Sequence, residues 1–455
     1  MVDSKVKLAC RLYGLRHRKA FAGARPLEGN AAHMDADEKY WWGYKYLCGP
    51  IEEEEPGSGL EAYFGGQDLD FSPRDGFVEA VGMTLCAGGD ILAHAGLNPG
   101  TTARLWDDVR GFYFSGDLAY ANLESPVAPS MPASYLPPSI MARGGMNNTP
   151  EMVDRVVDGG AGVGFFSTAN NHCLDQGEAG LLETLDFLDG RGYPHVGTAR
   201  SEAERDAVVM VERGGLKVAF VSWTFSVNWA GLPEGREYLA NYLRLNRPDA
   251  DLSPIGRQVR AARAAGADAV VALIHWGLEF ESFPASNVVA AGHRLAELGI
   301  DVIIGNHPHN VQPAERYAYR DTATGESRET LILYALGDLL SIHRTLPNSR
   351  LAALARIRLS KGASGAAVRV TSLALLPVYL YVGKDGDRVE EYRVLDFKKL
   401  VSELRAGRDA YRLGKAGTRE AFRLEALMSR VLGPAPGVGA AGRQKGSMAA
   451  EPARI

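Results

Sequence analysis

Two histidines stand two residues apart in Gly305-Asn306-His307-Pro308-His309, directly after the apolar run Ile300-Asp301-Val302-Ile303-Ile304. A β-branched run bounded by glycine predicts a buried strand. A loop at the carboxyl end of such a strand opens into the crevice where α/β folds bind ligands. Neutral imidazole is the commonest protein ligand for metals, so a His-x-His pair there is a candidate metal-binding element. Alone, the pair is equally compatible with two hydrogen-bonded core histidines.

Comparable clusters follow other apolar runs. Thr84-Leu-Cys-Ala leads to Gly88-Gly89-Asp90, Leu118-Ala-Tyr-Ala to Asn122-Leu123-Glu124, and Phe165-Phe-Ser-Thr-Ala to Asn170-Asn171-His172, with Asp175 three residues on. Val270-Val-Ala-Leu-Ile leads to His275-Trp276-Gly277-Leu278-Glu279, and Leu333-Tyr-Ala-Leu to Gly337-Asp338. Singly, each has an ordinary explanation as a turn or helix cap. Together, if the strands are neighbours, their ends bring carboxylates, asparagine and histidines to one sheet edge. Mixed nitrogen and oxygen ligands suit Zn, Mn or Fe, whereas calcium and magnesium prefer oxygen cages. The pattern predicts a metal or acid/base centre that activates water or polarises a phosphoryl or carbonyl oxygen. His172 is the best candidate for an uncoordinated general acid or base. Asp175 either orients that histidine or caps the helix beginning near Gly177.

The elements that must position these residues are legible as alternating runs. Strands are predicted at Met83–Cys86, Leu118–Ala121, Val163–Thr168, Lys217–Trp223, Ala269–Ile274, Val302–Ile304 and Leu331–Ala335. Helices are predicted between most of them, at Glu178–Leu188, Ile255–Ala265 and Ala285–Leu298. Such alternation argues for an α/β architecture. Leu351–Leu359 and Ala367–Leu376 follow each other without a helix and predict an antiparallel pair completing a sheet. Residues 1–78 show little periodicity and read as a peripheral extension, anchored by the aromatic cluster Tyr40-Trp-Trp-Gly-Tyr-Lys-Tyr. The main domain spans 79–380. A helical segment follows over 381–432, with helices at Asp396–Arg405 and near Thr418–Leu432. The Gly-, Ala- and Pro-rich end, 433–455, reads as a disordered tail.

Composition narrows the class. A hydrophobic content of 46% and a charged content of 23% are those of an ordinary globular protein, and a net charge of −5 gives no reason to expect nucleic acid. Cys10, Cys48, Cys86 and Cys173 are scattered and form no disulfide framework. The amino terminus lacks the apolar stretch of a secretory signal, and no run approaches the length of a membrane helix, so the sequence reads as cytoplasmic with no integral membrane segment. No Gly-x-Ser-x-Gly elbow, P-loop or Gly-x-Gly-x-x-Gly follows a strand. Nothing in the composition speaks to oligomeric state.

The order of motifs resembles the CapA family of poly-γ-glutamate capsule biosynthesis proteins, whose fold is similar to calcineurin-like metallophosphatases. The resemblance rests on Gly89-Asp90, Asn122-Leu123-Glu124-Ser125-Pro126, Ala169 to Gly177, His275-Trp276-Gly277, Gly305 to Pro313 and Tyr334-Ala335-Leu336-Gly337-Asp338. It implies a layered αββα sandwich, with Asp90, Glu124, Asn171, His275, His307 and His309 as ligands of one or two divalent ions (Mn, Zn, Fe or Ca). It gives His172 an acid/base or oxyanion-stabilising role. There are departures. Leu92 stands where the wider superfamily has the histidine of Asp-x-His, leaving His94 as a candidate; Asp117 competes with Glu124 as the carboxylate ligand; and Asp338 replaces an asparagine. The resemblance implies a metal-dependent enzyme acting on a peptide or polyglutamate-like amide. A cytoplasmic peptide epimerase, a metallophosphoesterase and a non-enzymatic polymer-synthase component are the alternatives.

Overall fold

The computed structural model describes residues 2–73, 76–135, 145–228, 231–321, 325–343, 346–363 and 367–433. Two sheets form its centre. The first contains β1 (Glu79–Ile91), β2 (Leu118–Leu123), β3 (Phe165–Ser167) and β4 (His195–Val196), all parallel neighbours in that order. The second is ordered β5 (Val209–Arg213), β6 (Leu216–Thr224), β7 (Ala269–His275), β8 (Val302–Asn306), β10 (Ser327–Leu333) and β9 (Ala314–Arg320). β11 (Asp338–Leu340) returns to the first sheet as a parallel partner of β1. β12 (Leu351–Gly362), β13 (Arg369–Asp385) and β14 (Arg388–Asp396) extend that sheet antiparallel on the other side of β1.

Side-chain alternation shows how the layers stack, because successive residues of a strand face opposite sides. Met83, Leu85 and Ala87 of β1, Tyr120 of β2 and Phe165 of β3 share one core with Val218 and Phe220 of β6. The rings of Phe165 and Phe220 meet at 4.4 Å between the sheets. The intervening residues Cys86, Ala119, Ala121 and Phe166 point the other way, into a second core. There they meet α4 (Arg110–Tyr113), α5 (Pro150–Val157) and α6 (Gly177–Arg191). α8 (Ser253–Ala264) and α9 (Ser286–Ala296) cover the outer face of the second sheet, and α7 (Glu202–Asp206) precedes β5. The result is the αββα sandwich. β7 and β8 lie at its centre and are buried at every position, which is why they read as unbroken apolar runs.

Two segments differ from the sequence expectation. The stretch after residue 380, expected to be helical, begins inside β13 and contains β14 before α10 (Phe397–Arg405) and α11 (Gly414–Val431). β14 hides its strand character because its buried Arg393 reads as a surface residue; the guanidinium is held by Asp108. The amino-terminal stretch, which shows little periodicity, carries α1 (Val2–Arg16), α2 (Ala36–Cys48) and α3 (Leu60–Gly65). The tail expected at 433–455 lies, from residue 434 on, outside the described residues. Among the described residues no helix is long and apolar enough to cross a membrane.

Candidate metal centre

The strand register brings the site together. Asp90, near the end of β1, is opposite Asn122 of β2 on one side and Asp338 of β11 on the other. This close approach requires Gly89, where a Cβ would fall 1.8 Å from the Gly337 carbonyl oxygen. In the second sheet His275 of β7 is opposite Asn306 of β8. Tyr120 Oη donates to Asn306 Oδ1 at 2.9 Å and ties the two sheet ends together. The loop after β8 then bends sharply, with His307 at φ 101° and His309 at φ 56°. Left-handed backbone at two non-glycine residues costs on the order of 1–3 kcal/mol each and clusters at functional sites.

Glu124 occupies the centre of the arrangement. It is fully buried, and neither carboxylate oxygen has a hydrogen-bond partner. Oε1 lies 3.4 Å from His275 Nε2 and 3.8 Å from His309 Nε2. His275 Nε2 is also 2.9 Å from Asn171 Oδ1. His307 Nδ1 is likewise buried without a hydrogen-bond partner. Among the described residues, three trios can close ligand atoms around an ion: Asp90, Glu124 and His275; Glu124, His307 and His309; and His309, Asp338 and His343. Glu124 belongs to two of them, so its carboxylate can serve neighbouring ions. Asp117 sits at the opposite end of β2, exposed, accepting the Thr84 amide at 2.7 Å. Position therefore separates it from the centre and favours Glu124.

Electrostatics follow from burying several carboxylates side by side. Burial, reinforced by Asp90, holds the Glu124 carboxyl well above the usual carboxylate range. Burial likewise pushes Asp90 up to about 6, despite the opposing charge of His309. Burial lowers His275 and His307 well below an ordinary imidazole. It would also lower His309, but Asp338, 2.8 Å from Nδ1, outweighs it and holds the imidazole up at about 9. Asp338 is held well below the carboxylate range, against burial, by His309 and by His343 at 3.2 Å.

His172 and Asp175 form a separate dyad beside this cluster. His172 Nδ1 lies 2.7 Å from Asp175 Oδ2, and that oxygen also accepts the Met146 amide at 2.7 Å. The histidine is partly exposed and directly follows Asn171, whose Oδ1 lies 2.9 Å from His275 Nε2. His94 is in none of the trios; its Nδ1 accepts the Gly96 amide at 2.8 Å. Sequence reasoning passed over His343, and it left Asp338 out of the ligand set. Asp338 ended a recognised strand motif, whereas His343 lies beyond β11 with no apolar run or paired ligand to mark it.

The family of bacterial capsule synthesis protein PGA_cap matches residues 84–342, more than half of the chain. The chain belongs to this family. The chain is similar to the capsule biosynthesis protein CapA of Bacillus anthracis, 27% identical over 180 residues, or 40% of each chain. A probable polyglutamine synthesis accessory protein of Mycobacterium tuberculosis is 31% identical over 179 residues, 38% of this chain and 43% of that protein. The PGA biosynthesis protein CapA of Bacillus subtilis is 25% identical over 201 residues, 44% of this chain and 48% of its own length. The chain thus aligns with less than half the length of each of these curated relatives. A solved phosphatase from Mycoplasma pneumoniae superposes with a TM-score of 0.38 at 12% identity, over 66% of this chain and 94% of that one. All six ligand candidates fall within the PGA_cap match.

Proposed function

We propose that the chain is a metal-dependent enzyme that acts on a peptide or polyglutamate-like amide, in the capsule- or polyglutamate-related chemistry for which its relatives are named. The observation that carries this reading is Glu124, a fully buried carboxylate with two unpartnered oxygens set among imidazoles. An unpaired buried carboxylate is costly, and a cation offsets that cost while accepting the lone pairs of its neighbours. The donor set fits: Asp90, Glu124, Asn171, His275, His307 and His309 would hold one or two divalent ions, with a mixed character suited to Mn, Zn or Fe. When bound, such an ion polarises a carbonyl oxygen and makes water more acidic.

The chain's own residues supply orientation and proton transfer. Asp338 fixes the ring of His309 through Nδ1 and leaves Nε2 facing Glu124. Asn122 Nδ2 donates to Asp90 Oδ1 at 2.7 Å, and the His307 amide donates to Oδ2 at 3.1 Å, which sets the carboxylate plane. Asp175, through Nδ1, holds the His172 tautomer whose Nε2 can give a proton to a departing amine or take one from an attacking group.

The test is cleavage or transfer of poly-γ-glutamate and blocked glutamyl peptides by purified protein, followed by mass spectrometry. Turnover lost on chelation, restored by Mn or Zn, and lost in His172→Ala with metal content unchanged is the expected result. Turnover that survives chelation, or a His172→Ala protein that keeps full activity, overturns the reading. Running the reaction in heavy water also exposes the alternative, since an epimerase introduces deuterium at a peptide Cα without cleavage.

A further inference from the structure

α1 lies before the residues matched by the family, and nothing in that match gives it a role. One of its faces packs on α2. Cys10 is buried there, a Cβ at Gly14 would fall 2.9 Å from the Tyr44 ring, and Tyr13 stacks on Tyr40 at 4.4 Å between ring centres. α2 is fixed in turn to the loop after β7: Lys45 Nζ donates to Glu281 Oε1 at 2.7 Å, and Trp41 Nε1 donates to the same oxygen at 3.1 Å. The fold therefore decides which face of α1 turns outward.

That outward face carries Leu8, Leu12 and Leu15, which are 59%, 58% and 72% exposed. Their spacing of four and then three residues places them in one stripe along the helix. Among the described residues only three other large hydrophobic side chains are exposed, Tyr40, Tyr63 and Val78. Half of the exposed set therefore lies on one helix face, which scattered surface leucines do not explain. Lys5 and Arg16 border the stripe on one side and Arg11 on the other, all three exposed. Charge is segregated as well: residues 1–19 hold six lysines and arginines and one acid, Asp3, whereas the whole chain carries −5. An apolar stripe with cationic borders suits a helix lying in the headgroup layer of an anionic bilayer. The leucines reach the acyl boundary while the long basic side chains extend to the phosphates. A second copy of the chain suits this face less, because a two-fold contact through the stripe sets the same cations against each other. A nucleic acid meets the cations but leaves the leucines in water.

We propose that α1 docks the protein on an anionic lipid surface, with Leu8, Leu12 and Leu15 as the inserted residues and Lys5, Arg11 and Arg16 as the headgroup contacts. The docking is peripheral and is independent of the reaction at the metal centre.

Co-sedimentation of the full-length chain with vesicles tests it, using phosphatidylcholine alone and an equal mixture of phosphatidylcholine and phosphatidylglycerol. Wild type should bind the mixed vesicles about tenfold or more tighter than the neutral ones. Raising salt from about 0.1 M to about 1 M, which shortens the screening length from about 10 Å to about 3 Å, should weaken that binding. Lys5→Gln/Arg11→Gln/Arg16→Gln should weaken it by roughly a hundredfold, at about fivefold per charge. Leu8→Ser/Leu12→Ser/Leu15→Ser should weaken it by at least about tenfold, whereas methionine at the same three positions should retain most of it. All the altered side chains are exposed, so each variant should keep the wild-type urea midpoint, which separates lost docking from lost folding. A wild type that binds neither vesicle, equal binding to both, or a serine variant that binds like wild type overturns the proposal. Self-association in sedimentation velocity that the serines abolish, without vesicle binding, assigns the face to a second copy and overturns it too.

Discussion

Replacing Lys45 by methionine keeps an unbranched side chain of similar length and removes the ammonium that pairs with Glu281 at 2.7 Å. Both partners are 1% exposed, so the carboxylate is left in a water-excluded site with Trp41 Nε1 as its remaining donor. Burial already raises the Glu281 carboxyl, with Lys45 opposing that rise. Without the lysine, the folded chain avoids a stranded charge by protonating Glu281. Protonating a carboxyl of ordinary pKa about 4.3 costs about 3.7 kcal/mol at pH 7 and about 1 kcal/mol at pH 5. The larger value matches the roughly 3–5 kcal/mol lost when one partner of a buried ion pair is removed. The sign is set because a carboxyl raised in the folded state loses stability as pH climbs above its unfolded value. Urea denaturation at pH 5 and pH 7, followed by tryptophan fluorescence, should therefore show Lys45→Met losing about 2–3 kcal/mol more at pH 7 than at pH 5. In Lys45→Met/Glu281→Gln, which preserves an acceptor for Trp41, that difference should vanish. A single variant destabilised equally at both pH values, or by less than about 1 kcal/mol at pH 7, would refute the reasoning.

Other outcomes follow from the metal cluster. Asp338→Asn removes the charge that holds His309 near 9 and loosens its ring, so the imidazole should titrate lower by NMR. Metal affinity in that variant should fall by about 10–100-fold, the usual effect of losing a partner that orients a ligand. Metal binding should also release protons, because Asp90 is held at about 6 and His309 at about 9 and both must deprotonate to act as ligands. Affinity should rise with pH between 6 and 9. Calorimetry at pH 7.5 in two buffers of different ionisation enthalpy reads the proton release directly, and identical heats in both would contradict it.

Much of the site was legible because its residues end strands that are buried on both faces. Val302–Ile304 and Val270–Ile274 are short apolar, largely β-branched runs that read as buried strands, and a histidine at their ends stands out. The sequence alone prefers Glu124 over Asp117, because Glu124 follows the apolar run that Asp117 precedes, and the two residues do lie at opposite ends of β2. What stayed hidden depended on distant partners. β14 looks like a surface stretch until Arg393 finds Asp108, 285 residues away. His343 gains meaning only through Asp338 and His309. The helices of residues 1–65 read as peripheral because their buried partners lie in a loop more than two hundred residues on, as Glu281 does for Trp41 and Lys45. β4 and β11 are two and three residues long, too short to show a period.

The central claim is that Glu124 is buried to hold metal. Its most direct test is the metal content of wild type and Glu124→Gln, measured by plasma mass spectrometry after both are loaded with Mn or Zn and desalted. Wild type should retain one or two ions per chain. Glu124→Gln should lose most of that metal while its chelated form is at least as stable to urea as chelated wild type, since an amide replaces an unpaired buried carboxylate. Equal metal retention in the two proteins, or a wild type that binds none, would contradict the account.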